Sequence, residues 1–430
     1  MTINEIHSIY LETTGPCTDT RNVLENSMFF ALKGGNFNGN EFALKAIEDG
    51  CKYAIIDEEQ FAIDNRFILV DNVLESLQHL ANYHRKQFDI PVIGITGSNG
   101  KTTTKELIGA VLETTYKTLY TKGNLNNHIG VPLTLLGLNK SHEIAIIEMG
   151  ANKPGDIKEL VEIAEPNYGI ITNIGTAHIE GFGSLEGVIS TKKELYDFIL
   201  KVEGKIFINH EDELLNKIVP KHVLHVTYGE QEQSYIYGQL TKLTPFVHLA
   251  WRTSRYVSPI IETKLVGKYN FTNFLAAIAI GYYLEVDKND INRALSEYTP
   301  SNNRSQVTKT DNNTIIVDCY NANPSSMRSA LESFIEIENG ARIAILGDML
   351  ELGNVSKEEH QKMVDYLQEN SLNAYLVGPE FEKTVTDLLK FPDTEKLISY
   401  LKKHPIADSL ILLKGSRGIR LEKVLELEVI

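Results

Sequence analysis

The sequence predicts an α/β protein of three domains, two of which are built on mainly parallel sheets. The chain has 430 residues, more than one hydrophobic core normally organises. Its composition, 42% hydrophobic and 23% charged, is typical of a folded protein rather than a disordered one. Short runs rich in Ile and Val alternate with longer stretches of helical periodicity, as in sheets that are buried on both faces.

The first two units are expected at residues 1–86 and 87–303. The first has weak periodicity, a Gly- and Asn-rich loop at 33–40 and a charged linker near 84–89. The second begins with predicted strands at 92–96, 144–147, 169–172 and 205–208, and an amphipathic helix follows the first of them. Its segment 211–264 is irregular, and strands are hard to place there.

Residues 304–430 predict a second α/β domain on a parallel sheet. Its predicted strands are at 314–317, 342–346, 374–377 and 409–413, with helices at 324–336 and 357–368. Three of the strands run into polar segments, DCYNANP, LGDMLELG and LLKGSRG. Because ligands bind at the carboxyl ends of strands in open α/β sheets, we expect chemistry at these segments.

Charge and cysteine content exclude several classes of protein. The chain has 42 Lys and Arg against 57 Asp and Glu, a net charge of -15, which argues against a nucleic-acid partner. Three cysteines, odd in number and far apart in sequence, argue against a disulfide framework and a four-ligand zinc site. No signal peptide is apparent, and no apolar run reaches the ~18 residues that span a bilayer. We expect a cytoplasmic protein without integral membrane association.

The sharpest local signal is the segment GITGSNGKTTT at 94–104, between a predicted buried strand and an amphipathic helix. Glycines let backbone N–H groups surround an anion, Lys101 can reach the outer phosphates, and the Thr102 hydroxyl can bind Mg²⁺. The general phosphate-loop pattern has a glycine where this chain has Ile95. A glycine-rich turn with a surface lysine is the alternative. A GTPase, a kinase and an ATP-driven ligase all remain compatible with the loop.

The segment TGSNGKTTT resembles the ATP loop of the Mur ligases of bacterial cell-wall synthesis. Six further segments are similar, in the same order, to the branch that joins D-alanyl-D-alanine to a UDP-linked muramoyl tripeptide: GNLNNHIGVPLTLL, IIEMGANKPGDI, TNIGTAHIEGFGS, VDCYNANPSSM, LGDMLELG and LLKGSRG. The N-terminal TDTRNVLENSMFFALKGGNFNGNEF resembles the family's uridine-nucleotide domain. The resemblance implies an N-terminal uridine-nucleotide-binding α/β domain, a central P-loop ATPase domain and a Rossmann-like C-terminal domain.

The resemblance implies an ATP-dependent carboxylate–amine ligase, which we expect to be a monomer. ATP would phosphorylate the terminal carboxylate of UDP-N-acetylmuramoyl-tripeptide, and the amine of D-alanyl-D-alanine would then attack the acyl phosphate. Both steps bring negative charges together, so cations and N–H groups directed at phosphate should supply much of the catalysis. Another Mur-type or folylpolyglutamate-type ligase remains an alternative, as does a nucleotide-binding module without ligase activity.

The resemblance also implies two Mg²⁺ ions, with Lys101, Glu148, His178 and Lys192 as the catalytic residues. Glu148, a carboxylate at the end of a predicted strand, is the candidate ligand of one ion together with Thr102; a solvated acid is the alternative. His178 matches the family's histidine at the second ion, although an isolated histidine is more often structural. Lys192 matches a lysine that carries a carbamate able to ligate that ion, and Lys193 is the alternative one residue on.

Adenine contacts are expected from Asn270 and Asn273, three residues apart on one helix face. The family usually has histidine where this chain has Tyr269. Arg304 and Asp318 match positions that contact ATP from the third domain, which would close over the phosphate loop; a boundary charge and a strand-end acid are the alternatives. The predicted ATP-binding residues are Gly97, Ser98, Asn99, Gly100, Lys101, Thr102, Thr103, Asn270, Asn273, Arg304 and Asp318.

Substrate contacts are expected in polar loops of all three units. The uridine-nucleotide resemblance covers the turn at Asp19 and the loop at Lys33, for which a capped turn and a flexible loop are the alternatives. Lys414 and Arg417 could bind a carboxylate or a phosphate, or form a basic surface turn. The predicted substrate-binding residues are Asp19, Arg21, Lys33, Gly34, Asn124, Asn126, Asn127, Tyr320, Asn321, Asn323, Lys414 and Arg417.

Overall fold

The computed structural model describes residues 1–175, 179–220, 223–300, 303–337, 340–426 and 430. Within these residues the chain forms three larger β-sheets and one two-stranded hairpin, and helices pack on the sheets. The mixed α/β class with mainly parallel sheets is therefore confirmed.

The N-terminal unit packs its helices against a small parallel sheet. Its helices are α1 Ile3–Tyr10, α2 Ala43–Glu48 and α3 Val73–Arg85. Its strands are β1 Pro16–Cys17, β2 Met28–Phe30, β3 Lys33–Gly34, β4 Phe37–Asn38, β5 Tyr53–Ile56 and β6 Phe67–Leu69. The sheet order is β1-β2-β5-β6, all parallel, while β3 and β4 form the hairpin in the Gly- and Asn-rich loop.

The prediction of a charged linker near 84–89 is wrong for its first two residues, His84 and Arg85. Helix α3 continues to Arg85, and both His84 and Arg85 are buried, at 3% and 9% exposure. The Arg85 guanidinium donates to the Phe88 carbonyl at 2.8 Å and to the Ala164 carbonyl at 3.2 Å. These charged residues therefore fasten the first unit to the second instead of linking them loosely.

The central unit is a long sheet whose core is parallel. Its strands are β7 Val92–Thr96, β8 Thr118–Tyr120, β9 Ile144–Glu148, β10 Tyr168–Ile171, β11 Lys205–Asn209, β12 Val226–Gly229, β13 Ile236–Lys242, β14 His248–Thr253, β15 Tyr256–Val257 and β16 Ile261–Glu262. The order β8-β9-β7-β10-β11-β12-β13 is parallel, and β14 continues it antiparallel. The four predicted strands are confirmed, and the irregular segment 211–264 contains most of the sheet's far edge.

Two layers of helix cover this sheet. The helices are α4 Lys101–Leu112, α5 Gly130–Leu135, α6 Asp156–Ala164, α7 Ile179–Phe182, α8 Leu185–Lys201, α9 Glu213–Ile218, α10 Tyr269–Tyr283 and α11 Lys288–Glu297. Helices α4 and α10 share one apolar core with Phe207 and Trp251. Helices α6 and α8 share the core of the opposite face, which continues without a break into α1 and α3. Burial of these apolar faces is the main term that stabilises the unit.

The C-terminal unit is a sheet with helices on both faces. Its strands are β17 Gln306–Lys309, β18 Asn313–Asp318, β19 Ala341–Gly347, β20 Asn373–Val377, β21 Leu389–Phe391 and β22 Ser409–Lys414. Its helices are α12 Pro324–Ile335, α13 Ser356–Glu369, α14 Pro379–Glu382, α15 Thr394–Leu401 and α16 Lys423–Glu426. The order is β17-β18-β22-β19-β20-β21, and only the β17–β18 pair is antiparallel. Because β18, β22 and β19 are neighbours, the three polar segments that follow them lie together, as predicted.

The junction between the second and third units is conformationally unusual. Asn303 and Ser305, on either side of Arg304, have φ angles of 56° and 48°. Non-glycine residues in this left-handed region carry some strain, which is typical of hinges and binding sites. The boundaries at 86 and 303 remain our proposal. In the described part of the chain, no helix is both long and apolar enough to cross a membrane.

Candidate active site

The phosphate loop connects β7 to α4 at the centre of the parallel sheet. Gly97 and Gly100 have φ angles of 149° and 79°. A side chain at Gly97 would overlap the Thr172 hydroxyl, so the loop can approach the neighbouring strand only with glycine there. Gly100 caps the N-terminus of α4, where backbone N–H groups favour an anion.

The ammonium of Lys101 lies against this loop. Its Nζ donates to the Gly97 carbonyl at 2.7 Å, with the Ser98 carbonyl at 3.4 Å. Burial lowers the pKa of Lys101, while the negative charge of Glu148 opposes that shift. The lysine is thus held at the loop, close enough to neutralise an anion bound there.

Glu148 is a buried carboxylate with one oxygen free of hydrogen bonds. Its Oε1 accepts from Thr102 Oγ1 at 3.2 Å and from Asn126 Nδ2 at 2.8 Å. Its Oε2 has no hydrogen-bond partner, although Lys105 Nζ lies 3.8 Å away. The residue is 1% exposed. A buried carboxylate oxygen without a hydrogen bond is costly, and a cation ligated at this oxygen would remove that cost.

Lys105 was missed by the sequence analysis. It is 2% exposed and lies one helical turn after Lys101 on α4, on the side that faces Glu148. Its i,i+4 spacing from Lys101 puts both lysines on one helix face, but only the fold shows that Lys105 is buried beside Glu148. Lys105 partly balances the charge of Glu148 inside the protein.

Lys192 is buried in α8 at 3% exposure, with its Nζ 5.8 Å from the centroid of the Phe182 ring. Burial, with the nearby positive charge of Lys101, lowers its pKa to about 7. Lys193, in contrast, is half-exposed and forms an ion pair with Asp197. The histidine at 178 lies outside the described residues.

In the part of the chain that the structure describes, oxygen donors that fit a hard cation come together at Glu148 and Thr102. Among the described residues, no group of three His, Cys, Asp or Glu side chains is arranged to hold a metal. The free Oε2 of Glu148 and the hydroxyl of Thr102 are oxygen ligands of the kind Mg²⁺ prefers, and Mg²⁺ commonly takes its other ligands from substrate phosphates and water.

Asn270 and Asn273 are buried on α10, and their amides join α10 to the phosphate loop. Asn270 Nδ2 donates to the Val266 carbonyl at 2.7 Å, and Asn273 Nδ2 donates to Asn270 Oδ1 at 2.9 Å. Thr104 donates to Asn273 Oδ1 at 3.1 Å. Contact of these amides with adenine stays a prediction, since these three hydrogen bonds are all made within the protein.

The third unit contributes a cluster around Tyr320. The guanidinium carbon of Arg304 lies 4.1 Å from the Tyr320 ring centroid, and that of Arg417 lies 5.4 Å from it. Lys414 Nζ pairs with Asp318 Oδ2 at 2.6 Å. Two guanidinium groups therefore flank one aromatic ring, while the Lys414 charge is already balanced.

The loop after β8 lies beside Glu148. Asn126 supplies one of the hydrogen bonds to that carboxylate, and Asn127 Oδ1 accepts from the backbone N–H groups of Ile129 and Gly130 at 3.1 and 2.9 Å. Asn127 therefore shapes the start of α5. Asn124 and Asn321 are exposed.

The predicted charged residues of the first unit form ion pairs within that unit. Arg21 binds both carboxylate oxygens of Asp19, and this pair lowers the pKa of Asp19 to about 2. Lys33 forms ion pairs with Asp57 at 2.8 Å and Glu58 at 3.0 Å. Gly34 lies beside these in the β3–β4 hairpin.

A cavity of about 1120 Å³ is lined by most of the predicted site residues. Its lining includes Ser98, Asn99, Gly100, Lys101, Thr102, Thr103, Asn124, Asn126, Asn127, Glu148, Asn270, Asn273, Arg304, Asp318, Tyr320, Asn321 and Lys414. Leu74 of α3 also lines it, so all three units reach the cavity. The lining does not include Gly97, Lys192, Asn323, Arg417, Asp19, Arg21, Lys33 or Gly34.

The fold and the site together define a class: a P-loop α/β protein whose phosphate loop faces a second α/β unit across a cavity. The family profile described as "Mur ligase middle domain" matches residues 95–281, and "Mur ligase, glutamate ligase domain" matches residues 303–417. The chain belongs to the Mur ligase family, among the UDP-N-acetylmuramoyl-tripeptide–D-alanyl-D-alanine ligases.

Relatives and solved structures agree with this placement. The chain is 34% identical to the UDP-N-acetylmuramoyl-tripeptide–D-alanyl-D-alanine ligase of Bacillus subtilis, over 96% of this chain and 92% of the relative. A crystal structure of MurF from Acinetobacter baumannii has a TM-score of 0.88 and 30% identity, covering 100% of this chain and 98% of that one. MurF of Thermotoga maritima in complex with ADP has a TM-score of 0.86 and 29% identity, covering 97% and 98%.

Proposed function

We propose that this protein is the ligase that joins D-alanyl-D-alanine to UDP-N-acetylmuramoyl-tripeptide at the expense of ATP, in the synthesis of the peptidoglycan precursor. One observation supports the proposal most: a single cavity is lined by the phosphate loop, by Glu148 with its free oxygen, and by residues of the third unit. A ligase needs such a shared space because a carboxylate, a nucleotide and an amine must meet in it.

The phosphate loop holds the nucleotide in this proposal. Backbone N–H groups at the start of α4 bind the phosphates, and Lys101 leaves the Gly97 carbonyl to neutralise the outer ones. Arg304, across the cavity, adds positive charge from the third unit. The tripeptide carboxylate attacks the γ-phosphorus, and ADP leaves from the acyl phosphate that forms.

The second step is attack by the dipeptide amine on the acyl carbon. The amine must lose a proton, and phosphate departs with the carboxylate oxygen that carried it. Tyr320 and its two arginines lie at the ends of strands β18 and β22, where a peptide carboxylate could be held by guanidinium groups. Closing of the third unit would keep water from the acyl phosphate.

Two Mg²⁺ ions are part of the proposal. Glu148 and Thr102 would hold one, and the residues at 178 and 192 would hold the other. Bound Mg²⁺ supplies charge neutralisation for phosphates that approach a carboxylate. A carbamate on Lys192 fits its surroundings because an amine reacts with CO₂ only when neutral, and a pKa of about 7 leaves much of this amine neutral at cellular pH. We also propose a cytoplasmic monomer.

The test is release of phosphate from ATP by the purified full-length chain. We expect release only when both UDP-N-acetylmuramoyl-tripeptide and D-alanyl-D-alanine are present, and none with diaminopimelate, lysine or glutamate in place of the dipeptide. Lys101→Ala should remove the activity while circular dichroism shows the fold intact. Turnover with one of the single amino acids would favour another Mur-type or folylpolyglutamate-type ligase. Nucleotide binding without turnover would favour a module without ligase activity.

A further inference from the structure

A closed ring of three side-chain hydrogen bonds connects the phosphate loop to the first turn of α12. Asn99 Nδ2 donates to Ser325 Oγ at 2.9 Å, Ser325 Oγ donates to Asn323 Oδ1 at 2.9 Å, and Asn323 Nδ2 donates to Asn99 Oδ1 at 2.7 Å. Within the ring, each of the three side chains donates one hydrogen bond and accepts one. We call these three residues the latch ring.

The third unit fixes its side of the latch ring rigidly. Asn323 is the N-cap of α12: its Oδ1 accepts from the Ser326 N–H at 2.9 Å, and its own N–H donates to Ser326 Oγ at 3.1 Å. It is 4% exposed. Because Oδ1 must face the helix N–H, the amide Nδ2 must point toward Asn99.

The central unit fixes the other side. The Asn99 N–H donates to Asn173 Oδ1 at 3.0 Å, and its carbonyl accepts from Thr172 Oγ1 at 2.6 Å and from Asn173 Nδ2 at 3.0 Å. Every polar group of Asn99 is therefore engaged with protein. Gly175 packs against the ring, because a Cβ there would lie 3.1 Å from Ser325 Oγ.

We propose that Asn99, Asn323 and Ser325 are positioning residues that hold the third unit closed over the phosphate loop, instead of contacting ATP or peptide with their side chains. Residues 99 and 325 are 226 positions apart, and the bonds of the ring join the two units directly at the edge of the cavity, which Asn99 and Ser325 both line. Asn99 belongs to the loop that surrounds the phosphates, so any change of loop shape is passed directly to α12.

The consequence for the proposed reaction follows from where α12 begins. It continues from the segment after β18 that carries Asp318 and Tyr320. When the latch ring is closed, Arg304 and Tyr320 face the phosphate loop across the same cavity. The ring thus places the third unit's groups where acyl transfer needs them, and this role rests on the proposed ligase function.

The experiment measures closure directly in the full-length chain. Dyes at Lys201→Cys and Lys403→Cys, exposed positions on the second and third units, report distance by single-molecule energy transfer with Mg²⁺ and a non-hydrolysable ATP analogue; the native cysteines are buried. We expect Ser325→Ala and Asn99→Ala each to lower the ratio of closed to open molecules about fivefold, as loss of a hydrogen bond between units predicts. The double variant should lose little more than either single one, because each breaks the same ring.

Ser326→Ala is the matched control, since its hydroxyl bonds only within the third unit. It should destabilise α12 without changing the closed fraction.

In steady-state assays Ser325→Ala should lower kcat about fivefold with little change in nucleotide affinity, because Ser325 contacts no part of the phosphate loop except Asn99. If Ser325→Ala and Asn99→Ala both keep the closed fraction of the wild type, the latch ring does not hold the third unit closed, even if ligation is confirmed. Absence of ligation by the wild-type chain overturns the function instead, and the closure measurement still decides on the ring.

Discussion

Glu148 is the side chain whose surroundings best fit the proposed cation. One of its oxygens accepts hydrogen bonds from Thr102 and Asn126, and the other has no hydrogen bond and lies 3.8 Å from the Lys105 ammonium. Glu148, Thr102 and Lys105 are all buried. An ion pair at that distance in the interior does not fully offset the desolvation of both charges. The site is therefore more stable with an additional positive ligand on Oε2.

Glu148→Gln tests that role. The amide keeps the size and the hydrogen bonds to Thr102 and Asn126 but loses the charge, so we expect kcat/KM to fall by roughly two orders of magnitude and the Mg²⁺ requirement to rise. Titration of activity with Mg²⁺ measures both effects. Glu143→Gln, an exposed change just before the same strand, is the control and should behave as wild type. Normal activity of Glu148→Gln would remove Glu148 from the metal site.

Lys192 and Lys193 offer a matched pair for the carbamate. Lys192→Ala should be inactive, and acetate or formate should restore part of the activity by supplying a carboxylate in the cavity left by the side chain. Lys193→Ala removes only an exposed ion pair with Asp197 and should keep its activity. Phosphate release measured with and without added carboxylate gives the answer. If Lys193→Ala is the inactive variant and acetate or formate restores its activity, the carbamate is on Lys193 instead of Lys192.

The sequence places site residues well where their position depends on the local chain. Lys101 and Thr102 follow from the loop and Glu148 from its place at a strand end, and all three line the cavity, while their roles stay predictions. Lys105 was missed because its importance comes from burial beside Glu148, which spacing alone does not reveal. The geometry of the histidine at 178 falls outside the described residues, so its role rests on the resemblance.

At the scale of elements, helices α1 and α3 meet through two buried histidines. His7 Nε2 lies 2.9 Å from His84 Nδ1, and His84 Nε2 lies 2.9 Å from the Leu138 carbonyl. Neutral rings satisfy both contacts, with His84 donating to Leu138 and His7 donating to His84. Burial lowers the pKa of both residues, and for His7 the charge of its neighbour adds to the effect.

This pair predicts a pH dependence of stability. With the pKa of each histidine below its ordinary 6.5, the unfolded chain binds more protons than the folded one as the pH falls below 6.5. The free energy of unfolding should be constant above that pH with respect to these groups. The free energy of unfolding should fall as the pH drops from 6.5 toward the histidine pKa values of the folded protein. The full loss is about 1.4 kcal/mol for each unit by which folding lowers a histidine pKa.

Urea denaturation at a series of pH values measures the effect. The double variant His7→Gln, His84→Gln should show a flatter dependence between pH 6.5 and 5, whereas His79→Gln, an exposed change on α3, should match wild type. Identical slopes for the double variant and wild type would show that the pair does not titrate on unfolding.

Elements were predicted well where strands are buried on both faces. Strands β7, β9, β10 and β11 are continuous apolar runs because helices cover them on both sides. Strands are hard to predict in the segment 211–264 for the opposite reason: in β13 and β14, at the antiparallel edge of the sheet, buried positions alternate with half-buried or exposed ones. The 84–89 linker was misjudged because its charged residues bond to carbonyls of the second unit.

At the scale of the whole molecule, the three units are joined unequally. The first shares a continuous apolar core with the second, supported by bonds such as Tyr10 to the Leu136 carbonyl at 2.6 Å. The third unit shares less apolar surface with the second: of its two core clusters, one takes in only Val266 and Phe246 from the second unit. Polar contacts, including the latch ring and the Tyr269–Ser305 bond at 2.9 Å, add to this junction. The third unit is therefore the one expected to move.

The sequence alone does not indicate which side chains of different units contact each other. Asn99 and Ser325 are hundreds of residues apart, and neither has a local pattern that indicates the other. Asn323 and Asn99 were predicted as ligand-binding residues, but in the structure their side chains bond to each other. Tyr269 replaces a histidine usual in the family, and only the fold reveals its bond to Ser305 across the junction.

The central claim is that this chain activates a peptide carboxylate by phosphorylation and passes it to a dipeptide amine. The most direct measurement uses UDP-N-acetylmuramoyl-tripeptide labelled with ¹⁸O in its terminal carboxylate, with ATP, Mg²⁺ and D-alanyl-D-alanine. Mass spectrometry of the released phosphate should find one ¹⁸O atom per molecule, matched by formation of the pentapeptide product. Unlabelled phosphate, or product formed without ATP consumption, would contradict the account.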